Sequence, residues 1–260
     1  MTKIAIVGVS GRMGRTLVEA ISMDNSATLA GAIDRQDSSM IGRDINYNIV
    51  VVSSLLDVID SIDVAIDFSS PLATVGNAEI CGRFGKNIVI GTTGLTSEQV
   101  QCVKSASKST AICMSSNFAT GVNLCFKLAE MAASALGDDV DIEISEAHHK
   151  HKLDAPSGTA LTLGHVVAQT LDRDLDQVAV YRRQGDIGKR DSKAIGFSSV
   201  RAGDIVGDHT VMFSGDGERV EITHKASSRM AFAKGAIRAA KWLSVQDSGL
   251  FDMQDVLGLK

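Results

Sequence analysis

The chain has 260 residues, 44% of them hydrophobic and 22% charged, an ordinary balance for a soluble globular protein with room for one large core or two. Its net charge of −5 and aromatic content of 4% argue against nucleic acid as a partner, since duplex binding needs a basic face and single strands need stacking platforms. The four cysteines (Cys81, Cys102, Cys113, Cys125) make no C-x-x-C pair, no apolar run nears the ~20 residues of a membrane span, and the opening Met-Thr-Lys-Ile-Ala-Ile-Val-Gly lacks signal-peptide order, so a cytoplasmic protein with free thiols and no membrane partner is expected.

Lys3–Val9 reads as a strand, with β-branched Ile4, Ile6 and Val7 and a glycine closing the run. Gly11–Met23 follows as a helix and Thr28–Asp34 as a second strand. Short apolar runs recur at Asn48–Val52, Asp63–Phe68, Asn87–Gly91 and Thr110–Ser115, with helical patterns at Pro71–Phe84 and Thr96–Lys108 between them. Strands alternating with helices imply a parallel sheet covered on both faces. After about residue 118 the pattern changes. Gly121–Leu136 is helical, and Val140–Glu146 alternates, with Val140, Ile142 and Ile144 on one side and Asp139, Asp141 and Glu143 on the other. Ser157–Leu171 is helical. Val178–Ala226 holds strand-like runs separated by Ala202-Gly203-Asp204 and Ser214-Gly215-Asp216-Gly217, which suggest an antiparallel or mixed sheet with meander connections. Phe232, Ala236, Ala239 and Leu243 then form an apolar stripe on a final helix, opposite Lys234, Arg238 and Lys241. The fold class is α/β: a Rossmann-type parallel-sheet cofactor domain plus a second α+β domain with a mixed sheet.

Gly8-Val9-Ser10-Gly11-Arg12-Met13-Gly14 has glycines at G-x-x-G-x-x-G spacing, at the junction of the first strand and first helix. Glycines there permit a tight turn and close approach to a pyrophosphate, which the helix N-terminus then faces. Asp34 ends the second strand 20 residues after Gly14, placed to accept ribose hydroxyls. A glycine-rich turn without a ligand is the plain alternative, and the conjunction of strand, turn, helix and acid argues against it. Asp34 suits NADH, Arg12 and Arg35 suit a 2′-phosphate, and use of NADH and/or NADPH is expected. Gly91-Thr92-Thr93-Gly94 and Ser115-Ser116-Asn117-Phe118 end later strands, where open α/β sheets bind the rest of such a ligand.

Three histidines and two lysines fill His148-His149-Lys150-His151-Lys152, and Pro156-Ser157-Gly158-Thr159 opens a helix just beyond. Metal binding is one reading, but the spacing of His148, His149 and His151 is awkward for one ion and the lysines oppose a cation, so no metal is expected. A solvated charged loop is another. The third is an anionic-substrate site: histidine supplies a proton near neutral pH, and lysine with helix N–H groups suits carboxylates.

The stretch E-A-H-H-K-H-K-x-D-A-P-S-G-T-A at Glu146–Ala160 resembles the signature of the dihydrodipicolinate reductase family. So do the opening G-x-x-G-R-M-G, the D-F-S at Asp67–Ser69, G-T-T-G at Gly91–Gly94, S-N-F-A at Ser116–Ala119 and A-S-S-R-x-x-F-A-x-G-A-I-R-A-A-x-W-L at Ala226–Leu243, in the family's order along nearly the whole chain. The resemblance implies reduction of 4-hydroxy-tetrahydrodipicolinate, on the diaminopimelate route to lysine, with hydride from a nicotinamide. It places acid/base work on His148, a catalytic lysine at Lys152 and contacts to a small anionic dicarboxylate at His149, Gly158 and Thr159. It places cofactor contacts at Gly8, Gly11, Arg12, Met13, Asp34, Arg35, Gly91 to Thr93 and Ser115 to Phe118. Lys150, where arginine is common in relatives, and Asp34, where glutamate is also common, are the departures. The resemblance further implies a discontinuous dinucleotide-binding domain, 1–118 and 229–260, a substrate-binding and oligomerisation domain at 119–228, and a homotetramer. A non-catalytic NAD(P)H-binding sensor is the competing class, and a sensor has no use for the His148/Lys152 pair.

Overall fold

A computed structural model describes residues 1–45 and 48–260. The chain forms two compact units, residues 1–120 with 229–260, and residues 121–228. It begins with β1 (Thr2–Val7), α1 (Arg12–Ser22), β2 (Ala27–Ile33), β3 (Val51–Val52), a 3₁₀ stretch at Leu55–Ser61, β4 (Val64–Asp67), α2 (Pro71–Phe84), β5 (Asn87–Ile90), α3 (Ser97–Ala106) and β6 (Ala111–Met114). The second unit holds α4 (Thr120–Leu136) from its second residue on, β7 (Asp141–His148), α5 (Gly158–Thr170), the single turn α6 (Leu175–Val178), β8 (Ala179–Val180), β9 (Ile195–Arg201), β10 (Gly207–Gly215) and β11 (Glu218–Ala226). The chain then returns to the first unit with α7 (Met230–Leu243), β12 (Gly249–Phe251) and α8 (Met253–Leu257).

The first unit is built on a parallel sheet in the order β12-β6-β5-β4-β1-β2-β3. Its central strands are apolar without alternation because both faces are covered. Ile4, Ile6, Val64 and Ile66 face Leu17 and Ile21 of α1 and Ala236, Ala240 and Leu243 of α7. Ala5, Val7, Ala65, Ile88 and Ile90 face Ala78 and Cys81 of α2 and Val103 of α3. Burial pushes the thiols of Cys81 and Cys113 up to about 12, which leaves both unreactive at neutral pH. Local signals agree with the packing: Pro71 starts α2, Gly85 ends it in the left-handed region, and Thr96 with Gln99 forms a capping box on α3.

On α7 the expected four-residue stripe is only part of the buried face. Phe232 is half-buried, while Ala233, Gly235, Ile237 and Ala240 join Ala236, Ala239 and Leu243 inside. The small residues let the helix lie close to its neighbours; a Cβ at Gly235 would fall on the Phe118 carbonyl.

The second unit has a mixed sheet in the order β11-β10-β7-β9-β8. β10 runs antiparallel to β7 and β11, and β9 runs parallel to β7 and β8. The meander expectation therefore holds only for the β10–β11 hairpin. The segment through Ala202-Gly203-Asp204 instead carries the chain past β7, because Ile195 and Phe197 of β9 register beside Ile142 and Ile144 and extend one apolar face. α5 covers that face with Ala160, Leu163 and Val167. Among the described residues no helix is long and apolar enough to cross a membrane.

Candidate active site

At the carboxyl ends of the parallel strands the first unit gathers the residues expected to meet a nucleotide. Gly8 leaves β1 with φ +80, and a Cβ at Gly14 would lie 2.6 Å from Val9 Cα, so loop and helix touch along their backbones. Gly11 caps α1 with no side-chain acceptor for the first-turn N–H groups, and that turn carries no acidic residue. Those free donors, together with the exposed Arg12, fit a phosphate group. Met13 is half-buried against the core.

Asp34 is buried where β2 ends. Its carboxylate accepts hydrogen bonds from the Arg35 N–H (2.9 Å) and the Ser38 hydroxyl (2.8 Å). Burial alone would raise its pKa, but bonds from Ser10, Ser38 and Arg35 hold it below the usual value, so it stays an anionic acceptor. Arg35 is exposed and paired with Asp37 at 3.1 Å.

The turns after β4, β5 and β6 are linked. The Asp67 carboxylate accepts from the Ser69 N–H (2.9 Å) and the Asn77 amide (2.9 Å), and Thr92 Oγ1 meets the Ser69 N–H at 3.1 Å and Thr74 Oγ1 at 2.8 Å. Burial pushes the Asp67 carboxyl up. The Phe68 ring lies against Gly91 and edge-on to Phe118, with centroids 5.8 Å apart. Ser115 Oγ donates to the Asn117 carbonyl at 2.8 Å, and Asn117 Oδ1 accepts from the Ala119 N–H. Thr93 and Ser116 are exposed on these turns. Asp67 and Phe68 are thus structural centres of this end, although reading the sequence for ligand contacts passed over them.

In the second unit the basic cluster separates by position. His148, the last residue of β7, points to the buried face, and its Nδ1 lies 2.6 Å from Glu146 Oε2. Glu146 is clamped by Arg201, Nη1 to Oε2 at 2.8 Å and Nη2 to Oε1 at 2.7 Å. Strand register creates the group: Arg201 pairs with His148 across β9, and His209 pairs with Glu146 across β10. Burial would raise Glu146, but bonds from Arg201, Ser199 and His148 bring it down to about 2. For His148, burial outweighs the carboxylate and keeps the ring below its usual pKa.

Lys152 Nζ lies 2.9 Å from Asp154 Oδ1, and the Lys152 N–H donates to the His149 carbonyl at 3.1 Å, closing a turn. His149 is half-buried, its ring 6.3 Å from that of His151, while Lys150 and His151 are exposed. Beyond the turn, Ser157 caps α5 by accepting from the Ala160 N–H, and its Oγ sits 2.9 Å from His209 Nε2. Gly158, exposed, and Thr159, buried, open that helix. His148, Lys152, Gly158 and Thr159 therefore lie in one unit, around the end of β7 and the start of α5. Among the described residues no group of three or more His, Cys, Asp or Glu is arranged to hold a metal ion.

Glu146 was legible in principle, since the alternation that buries Ile142 and Ile144 also sends residues 146 and 148 inward. Arg201 and His209 stand on strands more than 50 residues away, and no local pattern marks them.

Two family models account for the chain: dihydrodipicolinate reductase, N-terminus, over residues 2–118, and dihydrodipicolinate reductase, C-terminus, over residues 121–257. The chain belongs to the dihydrodipicolinate reductase family. It is 51% identical to the 4-hydroxy-tetrahydrodipicolinate reductase of Saccharophagus degradans, over 100% of this chain and 99% of that one. A dipicolinate-bound dihydrodipicolinate reductase from Paenisporosarcina sp. TG-14 superposes with a TM-score of 0.79 at 26% identity, over 98% of each chain. A probable dehydrogenase from Thermotoga maritima shares the fold alone, with a TM-score of 0.63 at 11% identity over 99% of this chain and 93% of that one. As a dihydrodipicolinate reductase the chain is an oxidoreductase of lysine and diaminopimelate biosynthesis, and NADH or NADPH is its reductant.

Proposed function

We propose that this reductase acts on 4-hydroxy-tetrahydrodipicolinate, with His148 as proton donor and Lys152 as its electrostatic partner. The observation that carries the assignment is the inward-facing His148 on a clamped carboxylate, beside Lys152 and the N-terminus of α5. The first unit holds the nucleotide through Gly8, Gly11, Arg12, Met13, Asp34, Arg35, Gly91 to Thr93 and Ser115 to Phe118. When bound, the nicotinamide supplies a hydride. The second unit receives the dicarboxylate: the N–H groups of Gly158 and Thr159, with His149 and Lys152, hold its carboxylates. Loss of water from the hydroxylated ring leaves a conjugated imine. Hydride adds to one end of that system, and the electron pair displaced to the other end takes a proton from His148. Lys152 offsets the negative charge that develops during the transfer. The acidic chain thus concentrates positive charge where a dianion binds. We place the protein in the cytoplasm as a homotetramer, with the second unit supplying the contacts between subunits.

Nicotinamide absorbance followed with freshly generated 4-hydroxy-tetrahydrodipicolinate tests the activity. Steady oxidation of NADH or NADPH is expected, and no oxidation of either overturns the reading. His148→Asn and Lys152→Ala should lower kcat while leaving nucleotide affinity intact; equal loss of both refutes their roles. Size-exclusion chromatography with light scattering tests the tetramer, and a monomer would refute it.

A further inference from the structure

Two ring nitrogens of His148 are available for chemistry, and the surroundings treat them differently. Nδ1 lies 2.6 Å from Glu146 Oε2, a geometry in which the nitrogen carries the hydrogen and the carboxylate accepts it. That carboxylate cannot swing away, because both its oxygens receive Arg201 N–H groups at 2.7 and 2.8 Å. Arg201 is itself fixed by donating to the Val200 carbonyl at 2.7 Å and to the Asp154 carbonyl at 2.5 Å. Nε2 faces the backbone of Gly207 at the start of β10, where a Cβ would come within 2.9 Å of it. Gly207 has no positive φ, so the backbone there accepts alanine, and the ring edge is what any added side chain would meet.

We propose that Glu146, clamped by Arg201, is a positioning residue that fixes His148 as its Nδ1–H tautomer, and that Gly207 keeps the Nε2 edge clear so that the transferred proton leaves from Nε2. The proposal rests on the reading of His148 as proton donor. In the step, the N–H bond at Nε2 of the imidazolium breaks, its electron pair stays on the ring, and the proton joins the carbon or nitrogen that holds the pair displaced by hydride. His148 ends neutral with Nδ1–H still on Glu146, and re-protonation from solvent at Nε2 restores it.

The groups facing His148 are Glu146 on its own strand, Arg201 on β9, His209 on β10 with its ring centroid 5.0 Å away, and Lys152 beyond the strand. His209 is neutral near physiological pH because burial and then the neighbouring His148 bring it down to about 3. Arg201 and Lys152 oppose a proton on His148, and Glu146 is the one group among these that favours it.

Nitrogen-15 NMR of the imidazoles in the wild-type chain, with His148 assigned by its absence in His148→Asn, tests the tautomer without any variant of the clamp. A protonated Nδ1 and a bare Nε2 in the neutral ring are expected; the reverse tautomer overturns the proposal. In Glu146→Gln, the neutral ring should redistribute toward Nε2–H and kcat should fall by about 100-fold with KM little changed, the size of a misdirected acid/base group. The limb on which activity is lost with rising pH should move to lower pH, because the group favouring the proton is gone. Gly207→Ala should lower kcat and leave the Nδ1–H tautomer in place. An unchanged tautomer and pH profile in Glu146→Gln, in a chain where His148→Asn is inactive, refutes the positioning role alone. Full activity of His148→Asn refutes the underlying assignment instead.

Discussion

The two units are built in opposite ways where each is proposed to meet an anion. In the first, side chains are removed: Gly8, Gly11 and Gly14 let backbone meet backbone, and the uncapped first turn of α1 leaves bare N–H groups for phosphate. In the second, side chains are accumulated on the inner face of a mixed sheet: Arg201 bonds Glu146, Glu146 meets His148, and the His209 ring stands edge-on to His148 while bonding Ser157. A backbone cradle suits a ligand that must only be held. A network of titratable groups suits one that must also receive a proton.

The sharpest way to break this contrast is to remove the side chains proposed to donate the proton and to offset the developing charge. His148→Asn or Lys152→Ala should cost about 10²–10⁴ in kcat, the usual weight of a general acid or its electrostatic partner, with nucleotide Kd unchanged by fluorescence titration. The converse experiment fills the cradle. In Gly14→Val, the new side chain collides with the Val9 backbone, so nucleotide affinity should drop at least tenfold and thermal unfolding should come earlier by the equivalent of about 1–3 kcal/mol of overpacking. If this variant binds nucleotide normally, the backbone account of the first unit fails.

Acid should separate the units more gently. His209 titrates near 3 when folded and near 6.5 when free, so the unfolded chain binds the extra proton between those values, and stability falls as pH drops from about 6.5 to 3. His209→Gln, which can still bond Ser157, should flatten that slope in urea-unfolding midpoints measured across pH. The smallest effect belongs to the Asp24–Lys241 pair of the first unit. Lys241 donates to Asp24 at 2.6 Å and holds its carboxyl down to about 2, so the pair's contribution is present above about pH 4 and lost as pH falls through 2. Lys241→Met should erase only that acid-end loss, which is reduced by solvent screening at this partly exposed site.

What could be read in advance follows the same division. The parallel sheet, its covering helices and the glycine loop are local patterns, since strand, turn and cap each leave a mark within a few residues. So does the basic cluster from His148 to Lys152. The clamp on His148 is not local. Arg201 reaches Glu146 only because β9 runs parallel to β7 in one register, and His209 arrives because β10 pairs on the other side. The sheet order β11-β10-β7-β9-β8 was likewise hidden, because the Ala202-Gly203-Asp204 turn looks like that of a hairpin. Phe232 misled in a simpler way: it was counted on the apolar stripe of α7 with Ala236, Ala239 and Leu243, but it is only half-buried, and close packing adds the small residues Ala233 and Gly235 to the buried face instead.

The return of α7 and β12 to the first sheet has a consequence for how the protein is made. A ribosome delivers residues 121–228 whole before it releases any of 229–260. The inserted unit can close while its host is still unfinished, and until α7 emerges the apolar side of β1, β4 and β5 has no lid in that region. During synthesis, the half of the molecule that begins first is therefore the half that is completed last, and its nascent strands are the surface that holding chaperones would have to guard.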